Sequence, residues 1–283
     1  MKKIALVMKS DIAEGLALAL KTVQILLGYG CTLYLKETER KIIGEYDNLE
    51  YRDEPHLFED AECVVVLGGD GTIMRTAHKT RLPILGINLG RIGYLAELEP
   101  NELNLLKELV NDNFVTENRM MLEYSVEKNG KCIGFDSPVM NEIVLSKGGH
   151  SVMPEIELIC NNEEVGKYFA DGLICATPTG STAYSLSAGG SIVDPGMECF
   201  CITQVCPQSF YAKPLVFSGD SVLMFKKGKR GHGRLHLVAD GDLITEIEDN
   251  DLVTVKKSDI KTTLIKVKKN NFYSVMRSKM TEI

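Results

Sequence analysis

The residue types most able to do chemistry lie in Gly68-Gly69-Asp70-Gly71-Thr72. Glycines permit positive φ and let backbone N–H groups approach a ligand with no Cβ in the way. The β-branched run Cys63 to Leu67 before them reads as a buried strand, and the apolar-periodic segment Ile73 to His78 after them as the start of a helix. A helix N-terminus adds partial positive charge, so such a turn suits phosphate. Asp70 is the odd member, because a carboxylate repels phosphate unless it holds a metal ion or accepts a proton. Phosphate turn and carboxylate together point to phosphoryl transfer.

Three further stretches carry polar groups at strand ends. Asp171-Gly172-Leu173-Ile174-Cys175-Ala176 runs as a strand into Thr177-Pro178-Thr179-Gly180-Ser181-Thr182-Ala183-Tyr184. Thr179, Ser181 and Thr182 can cap a short helix there, or supply short donors to a ligand. Tyr184 suits ribose or base contact, or equally a half-buried core position. Asn141-Glu142, at the mouth of the strand Ile143 to Leu145, can bind ribose hydroxyls or a metal ion, or form a solvated edge pair. Gly86 to Gly93 places three glycines and Asn88 after a buried strand, where open α/β sheets bind ligands.

Two familiar nucleotide signatures are absent. The Gly15 to Thr22 segment ends in Lys-Thr without the preceding glycine of a P-loop. Gly69-Asp70-Gly71 has Met74 where the third glycine of a dinucleotide fingerprint belongs, which argues against the usual Rossmann mode. Histidines 56, 78, 150, 232 and 236 show no metal-ligand spacing, so the sequence specifies no metal ligands.

The elements that must position these groups divide into two halves. Expected strands at Ile4 to Met8, Thr32 to Leu35, Cys63 to Leu67 and Pro83 to Asn88 alternate with helices. One helix is expected from Ile12 to Leu27, capped by Ser10 and with Ile12, Leu16, Leu20, Val23 and Leu27 as its apolar face; another is expected from Asn101 to Val110, and Gly44 to Glu59 reads as loop. That alternation predicts a Rossmann-like α/β domain with a parallel sheet over residues 1–118, to which 270–283 can return. Residues 119–269 predict a β-sandwich-like domain, with strand candidates from Leu122 to Lys268. Turns are expected at Asn129-Gly130, Asn161-Asn162 and Asp240-Gly241, and Lys226 to Arg230 reads as a solvated hairpin loop.

Composition bounds the class. The 283 residues carry a net charge of −7 and are 44% hydrophobic, ordinary for a soluble globular chain and poorly suited to bulk electrostatic binding of nucleic acid. No apolar run reaches membrane-spanning length. Eight cysteines without Cys-x-x-Cys spacing read as core thiols of a cytoplasmic protein, with Cys199 and Cys201 on one strand face.

With these stretches in hand, the chain resembles the NAD kinase family. The glycine turn by itself is shared with diacylglycerol-type lipid kinases. The run Leu85 to Leu95, Asn141-Glu142, and Asp171 to Leu173 continuing into Thr177 to Gly190 are narrower. The resemblance implies transfer of the γ-phosphoryl group of ATP to the 2′-hydroxyl of the adenosine ribose of NAD, with a divalent cation such as Mg²⁺. It implies a homodimer or homotetramer. It makes Asp70 the catalytic base, with Gly69, Gly71 and Thr72 shaping the phosphate turn. Asn141 and Glu142 hold the adenosine ribose, Thr182 and Ser187 line the adenine pocket, and Asp171, Ala183 and Tyr184 meet the nicotinamide side. The chain departs from the family pattern at Phe169, Gln208 and Lys213-Pro214, around Asp171.

Overall fold

The computed structural model describes residues 1–9, 13–89, 93–135, 137–149, 152–230, 233–268 and 272–281. Ser10, Ile12, Gly90 to Ile92, His150, His232 and Asn271 therefore lie outside the described residues. The chain forms two compact units, Met1–Asn118 with Thr262–Ile283, and Arg119–Lys261.

In the first unit β1 (Lys3–Met8), β2 (Thr32–Lys36), β3 (Leu49–Arg52), β4 (Cys63–Leu67), β5 (Ile84–Ile87) and β6 (Val115–Arg119) build one sheet. Its helices are α1 (Ala13–Gly28), α2 (Arg40–Ile43), α3 (Asp70–Lys79) and α4 (Leu106–Val110). β1 through β5 pair in parallel, as strands joined by helical crossovers must. β4 is buried at every residue, which its unbroken Val-rich run requires.

Three local expectations change here. The fully buried face of α1 is Ala19, Thr22, Val23 and Leu26, while Leu16, Leu20 and Leu27 are half-buried. That helix is apolar nearly all round, so periodicity could not choose the face. The expected loop Gly44 to Glu59 contains β3, a short edge strand whose charged residues conceal it. The expected helix Asn101 to Val110 begins as a 3-10 turn over Pro100–Leu105 and becomes α-helical only at Leu106.

The second unit is antiparallel throughout. Its strands are β7 (Leu122–Lys128), β8 (Lys131–Gly134), β9 (Glu142–Lys147), β10 (Glu155–Cys160), β11 (Glu163–Phe169), β12 (Gly172–Ala176), β13 (Cys199–Val205), β14 (Leu215–Ser218), β15 (Leu223–Lys227), β16 (Leu235–Ala239), β17 (Asp242–Ile247) and β18 (Leu252–Lys257), with one short helix, α5 (Tyr184–Ser187). They form two six-stranded sheets, β11-β10-β15-β18-β7-β8 and β14-β13-β12-β9-β16-β17. Alternate residues such as Tyr124, Leu158, Phe225 and Val253 from one sheet, and Leu145, Cys175, Phe200 and Leu237 from the other, share one core. The second sheet is buried on its other face too. There Val144, Ile174, Cys199 and Cys201 pack with Ala188 and Val193.

The three expected turns each show two successive positive φ angles, as tight hairpin turns demand: Asn129-Gly130, Asn161-Asn162 and Asp240-Gly241. Lys226 to Arg230 is not a hairpin loop. β15 pairs with β10 and β18 whereas β16 pairs with β9 and β17, so this segment crosses from one sheet to the other. β19 (Thr262–Lys266), expected among the sandwich strands, pairs in parallel with β5 in the first sheet, and α6 (Phe272–Thr281) follows it. Glu97 fixes that return, accepting from the backbone N–H groups of Val267 and Lys268 and pairing with Lys266 Nζ at 3.0 Å. All eight cysteines are free thiols; Cys132 and Cys206 are exposed rather than core residues.

Candidate active site

In the first unit the turn after β4 is built on close backbone packing. A Cβ on Gly68 would fall 2.6 Å from Thr72 Oγ1. Gly69 is extended and supplies no side-chain cap, so its carbonyl accepts from Thr72 and Ile73 N–H. Asp70 is therefore the first residue of α3. Its carboxylate turns back to accept from the backbone N–H of Tyr94 at 2.8 Å and of Leu95 at 3.1 Å. A carboxylate has about four lone-pair positions, so two remain for another donor. Burial, then the Asp70 charge, push the Tyr94 hydroxyl above its ordinary value. Asn88 is fully buried; its amide donates to Glu99 (3.1 and 3.3 Å), tying the end of β5 to the following segment.

In the second unit the stretch Met140-Asn141-Glu142 is clasped by Asp240 from the β16–β17 turn. Oδ2 of Asp240 accepts from Met140 N–H at 2.7 Å, and Oδ1 from Asn141 and Glu142 N–H at 2.8 and 3.0 Å. This clasp explains why regular pairing of β9 starts only at Glu142, with Val139 left as an isolated bridge to Leu122. Glu142 is buried, and its Oε2 has no hydrogen-bond partner. Burial first, and the Asp240 charge second, raise its pKa to about 8. A buried carboxyl oxygen without a partner is a reason to look for a ligand.

The Thr177 to Tyr184 turn packs directly on Asn141. Thr177 N–H donates to the Asn141 carbonyl, Thr177 Oγ1 to the Met140 carbonyl, and a Cβ on Gly180 would lie 2.1 Å from the Asn141 oxygen. The hydroxyls do not cap α5. Ser181 donates to the Pro178 carbonyl and Thr182 to the Thr179 carbonyl, while Thr179 accepts from Arg119. Thr179 and Ser181 are buried in these contacts, whereas Tyr184 and Ser187 are exposed and Thr182 and Ala183 half-exposed. Tyr184 is thus a surface side chain and not a half-buried core one. Asp171 sits at the head of β12, 2.8 Å from Lys147 Nζ in an ion pair whose alignment falls short of a hydrogen bond.

Each unit thus gathers its own set: Gly69, Asp70, Gly71 and Thr72 in the first, with Asn88 following Ile87, whose carbonyl accepts from Gly68 N–H, and Asn141, Glu142 and Thr182 to Ser187 in the second. Sequence reasoning singled out the Gly86 to Gly93 stretch but missed that Gly93 and the Tyr94 and Leu95 amides seat Asp70, and it missed Arg119 and the Asp240 clasp. Asp240-Gly241 already had a complete explanation as a hairpin turn, which concealed its second task. Among the described residues no three His, Cys, Asp or Glu side chains gather as a metal cage.

Residues 4–114 match the family described as "ATP-NAD kinase N-terminal domain" and residues 140–267 the "ATP-NAD kinase C-terminal domain". The chain is similar to the NAD kinase of Caldanaerobacter subterraneus subsp. tengcongensis, 37% identical over 287 residues and covering 100% of both chains. Its fold is similar to a crystal structure of yeast NADH kinase complexed with NADH (TM-score 0.90, 24% identity, 99% of this chain and 88% of that one). It is also similar to an NAD kinase from Archaeoglobus fulgidus in complex with ATP (TM-score 0.75, 26% identity, 100% of both chains).

Proposed function

The chain belongs to the NAD kinase family, and from that premise we propose that it transfers the γ-phosphoryl group of ATP to the 2′-hydroxyl of the adenosine ribose of NAD, with Asp70 as the base. A bond forms between the 2′-oxygen and the γ-phosphorus, the bond to the β–γ bridging oxygen breaks, the hydroxyl proton passes to Asp70, and ADP and NADP leave.

The observation that carries this reading is the seat of Asp70: a carboxylate inside a glycine phosphate turn, oriented by the Tyr94 and Leu95 amides with lone pairs to spare. A sugar hydroxyl is a poor nucleophile, and a positioned base contributes about 10²–10⁴-fold. The rest of the catalysis is positioning and charge neutralisation. Gly69, Gly71 and Thr72 shape the phosphate turn. Asn141 and Glu142 hold the ribose, a role supported by the partnerless Glu142 Oε2. Thr182 and Ser187 line the adenine pocket, and Asp171, Ala183 and Tyr184 meet the nicotinamide end.

A divalent cation, Mg²⁺ in this reading, would be held chiefly by the substrate phosphates. When bound it neutralises phosphate charge. Homo-oligomeric assembly belongs to the same proposal. It is supported by Phe210 and Tyr211, 95% and 92% exposed, beside the edge strand β14 with its exposed Val216. Free thiols throughout support a reducing cytoplasm, and no described helix is long and apolar enough to cross a membrane. The test is NADP formation from NAD, ATP and Mg²⁺ by the purified chain. Absence of NADP with every nucleotide or polyphosphate donor sinks the reading.

A further inference from the structure

In the second unit, the outer face of β13 holds a pair of thiols with no task in the reading above. Side chains alternate along the strand, so Phe200 and Ile202 enter the shared core while Cys199 and Cys201 lie on the opposite face. A hydrogen bond joins the two thiols, lowering the pKa of Cys199 and raising that of Cys201. It favours the thiolate, the reactive form, at one sulfur with a second sulfur beside it. Each cysteine is 4% exposed.

The surroundings of the pair tie it to the site. Val144, Ile174 and Ala176 neighbour the thiols within the sheet, and Ala188 and Val193 pack against the same cluster. Ala188 directly follows α5. Further along β13, Thr203 Oγ1 lies 2.8 Å from Ser185 Oγ of that helix in a buried hydrogen bond. Val193 N–H donates to Ser181 Oγ at 3.0 Å, which returns the chain to the Thr177 to Tyr184 turn. The segment carrying Thr182, Tyr184 and Ser187 therefore rests on the strand face that presents the thiols.

Chemistry then selects the ligand class. Two sulfurs in reach of one atom make a bidentate soft-donor site. A zinc ion takes four ligands, and among the described residues no three His, Cys, Asp or Glu side chains gather. A copper(I) dithiolate carries a net negative charge, which these apolar surroundings penalise. Trivalent arsenic on two thiolates is neutral and keeps its third bond for an oxygen or a carbon, so it meets both limits.

We propose that Cys199 and Cys201 form a site for trivalent arsenic, and that its occupation displaces Ala188 and Val193 and weakens NAD binding through α5. Two S–As bonds form as two As–O bonds break, and each thiol proton leaves with the departing oxygen as water. Arsenic stays trivalent throughout, so no oxidant or reductant takes part. The effect on NAD rests on the kinase reading, whereas the dithiol site does not.

The experiment treats the full chain with phenylarsine oxide in a background where the exposed Cys132 and Cys206 are both replaced by serine. It counts arsenic per chain by intact mass and measures KM for NAD and for ATP. Cys199→Ala and Cys201→Ala are compared in that background, each checked for a cooperative thermal transition. The expected result is one arsenic more per chain in the background than in either alanine variant, with NAD KM raised severalfold and ATP KM unmoved. A small dithiol reverses the effect and a monothiol does not, and NAD slows the loading while ATP leaves it unchanged. An equal arsenic load in the background and both variants overturns the proposal. Loading at these two cysteines with NAD KM unmoved, or with both KM values rising together, overturns it as well. Where an alanine variant does not fold, protection of Cys199 and Cys201 from alkylation by bound arsenic reads the same site, and unprotected thiols overturn the proposal. A chain that makes no NADP yet loads arsenic through these thiols overturns the kinase reading and leaves the arsenic site standing.

Discussion

A Cβ on Gly93 would lie 2.0 Å from Oδ1 of Asp70, so the carboxylate occupies space that only a glycine backbone leaves open. The adjoining Tyr94 and Leu95 amides then complete its seat. Orientation of the Asp70 carboxylate is thus set by backbone some twenty residues away in sequence.

Asp70→Asn is expected to lower kcat by about 10²–10⁴-fold, because the amide cannot take the hydroxyl proton. Gly93→Ala is expected to lower kcat as well, by displacing the carboxylate while retaining it. Both should keep a cooperative thermal transition. Wild-type kcat in Gly93→Ala refutes the claim that this contact holds the base in place.

Glu142 makes stability depend on pH. Burial and the Asp240 charge raise its folded pKa to about 8 from an ordinary 4.5, so the folded state keeps a proton that the unfolded chain has shed. Its contribution is fully present below about pH 4.5 and is lost as pH rises through about 8. Relative to Glu142→Gln, wild type should lose a few kcal/mol of stability, to order of magnitude, between about pH 5 and 9. Urea midpoints of the two proteins across that range check this, and parallel curves contradict it.

Asp240 accepts three backbone N–H groups from Met140, Asn141 and Glu142. Asp240→Ala leaves those donors without their carboxylate and should cost roughly 3 kcal/mol. NAD KM should rise while ATP KM stays near wild type, and Asp240→Asn should restore part of both losses. Equal shifts in the two KM values would mean a general loss of structure instead.

Gly180→Ala should raise NAD KM and lower the thermal midpoint, since its Cβ meets the Asn141 carbonyl at 2.1 Å and backbone cannot swing aside. A cost of about 1–3 kcal/mol is expected for this overpacking. Calorimetry beside steady-state kinetics reads both, and an unperturbed Ala variant shows that the turn is looser than its packing implies.

Much of this protein was legible in local pattern. The Val-rich β4, the Gly-Gly-Asp-Gly-Thr turn, the helix after it and the Asn-Gly and Asp-Gly hairpins all follow from propensity and glycine geometry acting over a few residues. So do the family's narrower motifs, each a contiguous run. The less legible elements are those without a distinctive local signal. β3 is a charged edge strand, α1 is apolar nearly all round, and Lys226 to Arg230 looks like a hairpin loop although its flanking strands belong to different sheets.

The sequence by itself singled out the candidate groups: Asp70 in a glycine turn, Asn141-Glu142 at a strand mouth, and a turn rich in hydroxyls. Only the tertiary structure decided how they are held. Gly93, Tyr94 and Leu95 seat Asp70, Asp240 clasps Met140 to Glu142, and Ser181 and Thr182 spend their hydroxyls on the backbone. The same structure joins Ser185 to Thr203 on the strand that carries Cys199 and Cys201. The reason is physical. A motif is read from neighbours along the chain, whereas each of these partnerships joins residues that only strand order and register bring within hydrogen-bond distance.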